Sequence, residues 1–244
     1  LVADRGEGWS YGWYANCYDF YENHVSDLQN GQKFTFVTSI GCGVAMWEAS
    51  GGNCFGEQWI QVGSISEPRG GIGFIGPTSN SRTTYNNRID KGIYVGMFRE
   101  GMDTPGQAMA RGKLYMYNVF GNEYWVWYHY NVFHVLGDPS LHIWKEVPRE
   151  VTVDHEEIIP VGYNNLDFQV NFADNGNPAD SVEVCLYGPD VFATAICDSL
   201  GQAAVTIASA IEDTISVVVR GGDVYPYQSY MVVTQPDELV EPEG

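Results

Sequence analysis

The chain has 244 residues, of which 44% are hydrophobic and 14% aromatic, and it carries a formal net charge of −19 at pH 7. Such a length and composition suffice for two domains with hydrophobic cores. The sequence contains no run of about 18 apolar residues and therefore predicts no transmembrane segment. Its shortage of Lys and Arg argues against a nucleic-acid partner.

The negative charge is concentrated in the second part of the chain. Residues 1–148 contain ten Lys or Arg against fourteen Asp or Glu, whereas residues 149–244 contain two against seventeen. We interpret this excess as a solvated acidic surface, with a structural calcium ion as the alternative, because carboxylates bind hard cations. No EF-hand spacing is present, and we expect no cofactor to be required.

The first prominent element is a buried strand at residues 34–40, which ends in Gly41-Cys42-Gly43. Its apolar and β-branched residues favour a parallel strand covered on both faces, and the glycines allow a sharp bend around the thiol. Reactive groups in open α/β sheets lie beyond the carboxyl ends of the strands. Cys42 is therefore a candidate nucleophile, and a buried cysteine that acts as a small hydrophobic residue is the alternative.

Helices and one further strand are predicted after Cys42. A strand is expected within residues 68–77, and helical spacing is found at residues 54–62, 88–98 and 107–120. Thr104 and Pro105 fit the cap and first position of the last helix. The aromatic segment 124–133 favours a buried helix over a ligand platform. Asp138-Pro139 predicts a turn, after which Leu141, His142 and Ile143 alternate as in a short strand.

Beyond Pro148 the pattern changes to short strands separated by turn signals, which predicts a β-sandwich. Cys185 and Cys197 lie on consecutive strands, so either a disulfide or two free thiols would fit. Residues 236–244 are acidic and indicate a linker or tail. The seven predicted strands are residues 151–153, 166–172, 181–187, 193–197, 203–207, 214–219 and 230–234.

Four motifs, at residues 39–42, 54–57, 71–76 and 135–141, resemble in their order the landmarks of the gingipain-like cysteine peptidases, family C25. The resemblance implies that residues 1–148 are the C-terminal part of a caspase-like α/β catalytic domain, a partial sheet with flanking helices. It also implies an all-β immunoglobulin-like sandwich at residues 149–235, before the tail at 236–244. The implied location is secreted or at the cell surface.

The resemblance also implies the partners of the chain. These are a polypeptide substrate and the missing N-terminal half of the catalytic domain, because the chain opens as if at the end of a strand. That half is either a separate processed chain or a part that was not included.

The resemblance assigns roles to several residues. Cys42 is the expected nucleophile, and the backbone N–H groups of Cys42 and Gly8 are the expected oxyanion hole. The loop that shapes the substrate pocket corresponds to Thr78, Ser79, Asn80 and Arg82. This loop contains no acidic residue, so the preference of some gingipains for Lys or Arg is not carried over.

Glu7 departs from the family pattern. The family has Arg-Gly-His-Gly or Thr-Gly-His-Gly where this chain has Arg5-Gly6-Glu7-Gly8. An imidazolium lowers the pKa of a neighbouring thiol, whereas a carboxylate raises it; a protonated carboxyl could still donate a proton, but only from an apolar pocket. None of His24, His129, His134, His142 and His155 is a strong substitute. Two hypotheses remain: a peptidase that acts through a Cys42 thioester, impaired by Glu7, and an inactive surface or assembly module.

Overall fold

The computed structural model describes residues 1–14, 19–48, 52–221 and 224–235. Contacts divide the chain into two compact units, Leu1–Lys145 and Glu146–Gly244. In the described part of the chain, no helix is long and apolar enough to cross a membrane.

The described residues of the first unit form a mixed sheet, a small antiparallel sheet and five helices. Its elements in chain order are β1 (Val2–Asp4), β2 (Glu7–Trp9), β3 (Gly12–Tyr14), β4 (Phe20–Tyr21), α1 (Glu22–Ser26), β5 (Thr35–Ser39), α2 (Phe55–Gln61), β6 (Gly71–Pro77), α3 (Thr83–Arg99), α4 (Pro105–Phe120), α5 (Tyr124–Val132) and β7 (Phe133–Gly137).

The mixed sheet has the strand order β1-β5-β6-β7. β1, β5 and β6 are parallel, and β7 is antiparallel to β6. Phe36 of β5 packs in a core with residues of α3, α4 and α5, whereas Val37 packs in another core with Phe55 and Trp59 of α2. Successive residues of a strand point to opposite faces, so β5 is covered on both faces, as the sequence predicts.

α3 and α4 cross at two glycines. A Cβ on Gly92 would lie 2.7 Å from the Cα of Gly112 and 2.6 Å from the Cβ of Tyr115. Because neither glycine carries a side chain, the two backbones can approach closely at this point. The start of α4 is as predicted, because Pro105 takes its first position and the side chain of Thr104 accepts a hydrogen bond from the N–H of Gln107.

Two predictions near the end of this unit need correction. The aromatic segment does form a helix, α5, but Tyr124 is 71% exposed and Trp127 is 47% exposed, so core packing describes only part of its surface. The short strand predicted around His142 is wrong, because residues 141–143 form no strand. Ile143 is instead held by its N–H bond to the carbonyl oxygen of Asp103. The Asp138 turn is confirmed, since its carboxylate accepts hydrogen bonds from the N–H and hydroxyl of Ser140.

The second unit consists of two sheets that share one hydrophobic core. All seven predicted strands are present, and Ile158–Pro160 is an additional strand that pairs parallel to Tyr227–Thr234. Residues 236–244, the predicted acidic tail, lie outside the described residues. The strands are β8 (Val151–Asp154), β9 (Ile158–Pro160), β10 (Gly162–Phe172), β11 (Glu183–Tyr187), β12 (Phe192–Ile196), β13 (Gln202–Ser209), β14 (Thr214–Arg220) and β15 (Tyr227–Thr234).

Cys185 and Cys197 are both free thiols. Cys185 pairs with Thr194 across β11 and β12, and it alternates with the inward-facing Val184 and Leu186. Cys197 is buried in the core of the unit. The two side chains therefore lie on opposite faces of the sheet, which leaves the free-thiol alternative.

Candidate active site around Cys42

Cys42 lies in the turn that follows the carboxyl end of β5, and its side chain is half-buried. Gly43, the next residue, has a φ of +66° and donates its N–H to the carbonyl oxygen of Ser79 at 3.1 Å. A left-handed φ is readily adopted by glycine. The turn thus joins the end of β5 to the loop after β6, which the sequence predicted to be adjacent.

Ser81 contacts the Cys42 sulfur with three groups. Its N–H donates to Sγ across 3.4 Å, its hydroxyl oxygen lies 3.8 Å from Sγ, and its carbonyl oxygen accepts from the thiol at 3.4 Å. The thiol therefore has one acceptor, and a thiolate at the same position would have two donors.

Asn86 connects Ser81 to Ile40, the residue that follows β5. One amide hydrogen of its Nδ2 donates to the carbonyl oxygen of Ile40, and another donates to the hydroxyl oxygen of Ser81, both at 2.8 Å. Asn86 is 3% exposed, and its Oδ1 is buried without a hydrogen-bond partner. Only the Nδ2 side of the amide can pair with a carbonyl, so Ile40 fixes the orientation of the group.

Glu7 and Gly8 lie against the Cys42 turn. The nitrogen of Gly8 is 2.9 Å from the position that a Cβ on Gly41 would occupy, and the carbonyl carbon of Glu7 is 3.3 Å from it. In turn, a Cβ on Gly8 would lie 2.4 Å from a methyl group of Val44. The sequence-predicted residues Cys42, Glu7 and Gly8 are therefore neighbours through the backbone. The Glu7 side chain is exposed and does not lie in an apolar pocket.

Asp4 anchors the segment that leads to Glu7. Its carboxylate accepts hydrogen bonds from the N–H of Gly6 at 3.2 Å and from the hydroxyl of Ser39 at 3.2 Å. Ser39 also accepts a bond from the indole N–H of Trp13 on β3. Burial raises the pKa of the Asp4 carboxyl, and the hydrogen bonds from Gly6 and Ser39 oppose this shift. The network ties the start of β2 to the end of β5.

A cleft of about 750 Å³ opens beside these residues. Its lining includes Glu7, Ile40 and Asn86, together with charged groups of Asp4 and Arg5. The Arg5 guanidinium donates to the side chain of Asn87 at 3.0 Å. The cleft is therefore lined by positively and negatively charged side chains, and by hydrogen-bond donors as well as acceptors.

Residues of helix α5 form hydrogen bonds to the predicted substrate loop. Thr78 donates its N–H to the carbonyl oxygen of Val132 at 2.7 Å. The hydroxyl of Tyr128 contacts the hydroxyl of Ser79 at 3.2 Å and the carbonyl oxygen of Asn80 at 2.8 Å. These contacts fix the backbone of the loop before Ser81.

Arg82 closes the same loop. Its backbone N–H donates to Nε2 of His129 at 3.0 Å, and its guanidinium lies 3.4 Å from the ring centroid of Trp125. This stacking is a cation–π contact. The Nδ1 of His129 bonds to the carbonyl oxygen of Trp125, so the ring is the neutral tautomer with its proton on Nδ1.

The five histidines are all described, and each contacts groups other than the Cys42 sulfur. His129 is fully buried, and burial lowers its pKa. His24 accepts from the N–H of Tyr21, His134 bonds to the carbonyl oxygen of Asn131, His142 lies 3.4 Å from Asp103, and His155 bonds to Ser229 in the second unit.

Cys54, the other cysteine of the motifs, has a structural role. It is fully buried at the start of α2, where its side chain accepts from the N–H of Glu57 and its own N–H donates to the Glu57 carboxylate. Burial raises the pKa of its thiol to about 11. Cys54 is therefore a poor nucleophile at neutral pH.

Sequence reasoning missed Ser81 and Asn86. It named four residues of the loop but not Ser81, which is the one in contact with Sγ. Adjacent asparagines at 86 and 87 near the start of a helix were a weak signal, because asparagine is a poor helix former that needs another reason to be there. Among the described residues, no three His, Cys, Asp or Glu side chains group as a metal site would require.

Comparison with known proteins identifies the family. The sequence model of peptidase family C25 matches residues 5–144, more than half of the chain, so this chain belongs to peptidase family C25. The predicted resemblance to the gingipain-like peptidases is thus confirmed. No curated protein matches the chain in sequence.

Solved structures share the fold at low sequence identity. The Arg-specific cysteine proteinase gingipain R (RgpB) matches with a TM-score of 0.79 and 18% identity, over 96% of this chain and 53% of that chain. A complex of Porphyromonas gingivalis RgpB pro- and mature domains gives 0.79 and 19% identity, over 96% and 54%. A further protease structure gives 0.75 and 19%, over 95% and 54%. The chain spans about half the length of these structures.

Proposed function

We propose that this chain carries the nucleophile of a C25 cysteine peptidase, which hydrolyses peptide bonds through a thioester on Cys42. The observation that supports this most directly is the backbone arrangement at the turn. The N–H of Gly8 lies beside Gly41, next to a half-buried thiol at the carboxyl end of a central parallel strand. Backbone donors at such a position stabilise the oxyanion of acyl transfer.

The reaction has two stages. The Cys42 thiol gives its proton to water, its sulfur forms a bond to the peptide carbonyl carbon, and the oxyanion is bound by the N–H groups of Gly8 and Cys42. The C–N bond then breaks as the amine takes that proton from the solvent. Water then adds to the thioester, the C–S bond breaks, and the thiol is restored. Thr78, Ser79, Asn80 and Arg82 shape the substrate pocket in this proposal.

Glu7 would make the reaction slow. It stands in the position of the family histidine, its side chain is exposed, and it cannot supply an imidazolium to the sulfur. A positioned acid or base contributes about 10²- to 10⁴-fold to such reactions. The second candidate, an inactive surface or assembly module, rests on the same feature, Glu7 at the position of the family histidine.

The proposal extends to the setting of the site. The second unit would be an immunoglobulin-like sandwich, the protein would be secreted or at the cell surface, and a further part of the catalytic domain, within this polypeptide or as a separate chain, would complete the fold. The chemistry would need no cofactor, and any calcium ion would be structural.

The test is cleavage of an unfolded protein such as reduced casein, followed by mass spectrometry of new N-termini and of acid-quenched intact chain. Wild type and the Cys185→Ala control should give new N-termini and an acyl adduct that hydroxylamine removes. Cys42→Ala should give neither. If wild type produces no cleavage and no adduct over many hours, the peptidase proposal is wrong and the inactive module is supported.

A further inference from the structure

We propose that Ser81 and Asn86 form a positioning pair that stabilises the thiolate of Cys42. The inference rests on the proposed function in taking Cys42 as the reacting thiol, but it concerns a device that the histidine of the family does not provide. Ser81 lies in the loop after β6 and Asn86 in the first turns of α3, so neither is on β5, the strand that precedes the cysteine.

Two groups of Ser81 can donate a hydrogen bond to the Cys42 sulfur. The N–H of Ser81 points at the sulfur, and the Ser81 hydroxyl lies within reach at 3.8 Å. Because the hydroxyl oxygen already accepts a bond from Asn86, its own hydrogen is free to point at Sγ. Donors to the ionised form of a group favour that form.

Asn86 holds Ser81 in a fixed position relative to the Cys42 turn. Asn86 is bound at once to Ile40, two residues before Cys42, and to Ser81. It therefore holds the donor loop and the nucleophile turn in one register. A buried side chain with both amide hydrogens committed loses little further freedom when the thiolate forms, which is the benefit of preorganised donors.

Other polar and charged groups also lie near the Cys42 turn. The thiol can also donate to the carbonyl oxygen of Ser81, and this contact favours the neutral form. Charged and titratable groups among the described residues near the turn include Glu7 on β2, Asp4 at the end of β1 and Arg5 after it, Arg82 after Ser81, and His134 of β7, whose ring packs on Trp47. A change at Ser81 leaves all of these groups in place, so a difference between variants isolates the pair.

The experiment is the rate of Cys42 labelling by iodoacetamide between pH 5 and pH 10, read by peptide mass mapping on the intact chain. Ser81→Ala should raise the midpoint of the rate–pH profile by about one unit, which means about tenfold slower labelling below the midpoint, with the plateau at high pH retained. Ser81→Thr keeps a hydroxyl and should restore most of the wild-type profile. Ser66→Ala, on an exposed loop, is the control and should leave it unchanged.

If Ser81→Ala only loosened the loop, the result would differ. Greater access of iodoacetamide to Cys42 would raise the labelling rate at every pH and leave the midpoint in place. An unmoved midpoint in Ser81→Ala overturns the proposal. Asn86→Ala should move the midpoint in the same direction, and a shift in Ser81→Ala without one in folded Asn86→Ala would overturn the role of Asn86. Peptide cleavage is read separately, so loss of the proposed function and loss of this inference are distinguishable.

Discussion

The imidazole Nε2 of His129 accepts a hydrogen bond from the backbone N–H of Arg82 across 3.0 Å, so a buried ring on α5 fixes the loop that contacts the Cys42 sulfur. The other ring nitrogen is bonded to the carbonyl oxygen of Trp125. Protonation of Nε2 would remove the acceptor for Arg82. The loop geometry therefore depends on a neutral ring, in agreement with the lowered pKa of His129.

This lowered pKa predicts a pH dependence of stability. Below the usual value of 6.5, the unfolded histidine binds a proton that the folded one does not bind until a lower pH. The free energy of unfolding should therefore fall as the pH drops below about 6.5, by at most about 1.4 kcal/mol per pH unit from this group. Chemical denaturation at pH 7.5 and pH 5.5 measures the effect.

The matched variant is His129→Gln, whose amide oxygen can still accept from Arg82 but does not titrate. We expect it to be destabilised at pH 7.5 by about 1–3 kcal/mol, because a buried hydrogen-bonded ring is replaced. Its loss of stability between the two pH values should be smaller than that of wild type. An equal loss would contradict the assignment to His129.

Glu7→His should increase activity. The side chain at position 7 is exposed, so the change need not disturb packing, and an imidazolium near the sulfur would stabilise the thiolate and protonate the leaving amine. Peptide cleavage should rise by about 10²-fold or more, and labelling of Cys42 at pH 6 should become faster. Glu67→His, on an exposed loop, should change neither rate. No gain in the first variant would mean that the side chain of residue 7 is not directed at the sulfur.

Cys54 should be protected where Cys42 is not. Native protein treated with iodoacetamide at pH 8 should be labelled at Cys42 and unlabelled at Cys54, because burial raises the pKa of the Cys54 thiol to about 11. Cys54→Ala should cost about 1–2 kcal/mol of stability through the lost N-cap contact to α2, and should leave the Cys42 labelling rate unchanged. Rapid native labelling of Cys54 would show that α2 opens.

The crossing of α3 and α4 predicts a stability effect far from the thiol. Gly92→Ala would place a Cβ 2.6 Å from that of Tyr115 and 2.7 Å from the Cα of Gly112, so one helix must shift. We expect a loss of about 1–3 kcal/mol in the free energy of unfolding. Gly52→Ala is the matched control, because its Cβ would meet no atom within 4 Å. Equal stabilities of the two variants would rule out a tight crossing.

The strands of the second unit could be read from the sequence because each buries one face. β13 alternates exposed and buried residues along its whole length, and β14 does so along most of its length. β9 escaped notice because it has three residues, ends in Pro160 and is defined by its pairing with β15 rather than by its own pattern. The prediction of a strand at His142 was wrong because it rested on alternation over three residues, and in the described structure these residues pair with no neighbouring strand.

Only those parts of the candidate site that follow directly from the order of the strands could be predicted from the sequence. The position of Cys42 follows from a strand that ends in glycines, and the loop at 78–82 follows from the next parallel strand. The contact between Ser81 and Sγ depends on how that loop is held by Tyr128 and His129, which are about fifty residues away in sequence. Such a contact has no local signal, and the same holds for the amide of Asn86.

The contrast between buried Gly8 and exposed Glu7 has a consequence for the history of this site. Packing restricts position 8, where a Cβ would collide with Val44, but it places no such restriction on the side chain of position 7. The residue type at position 7 can therefore change without loss of the fold. Under the proposed function, gain and loss of the reaction would be separated by few mutational steps, and related chains with different residues at this one position would share an unaltered scaffold.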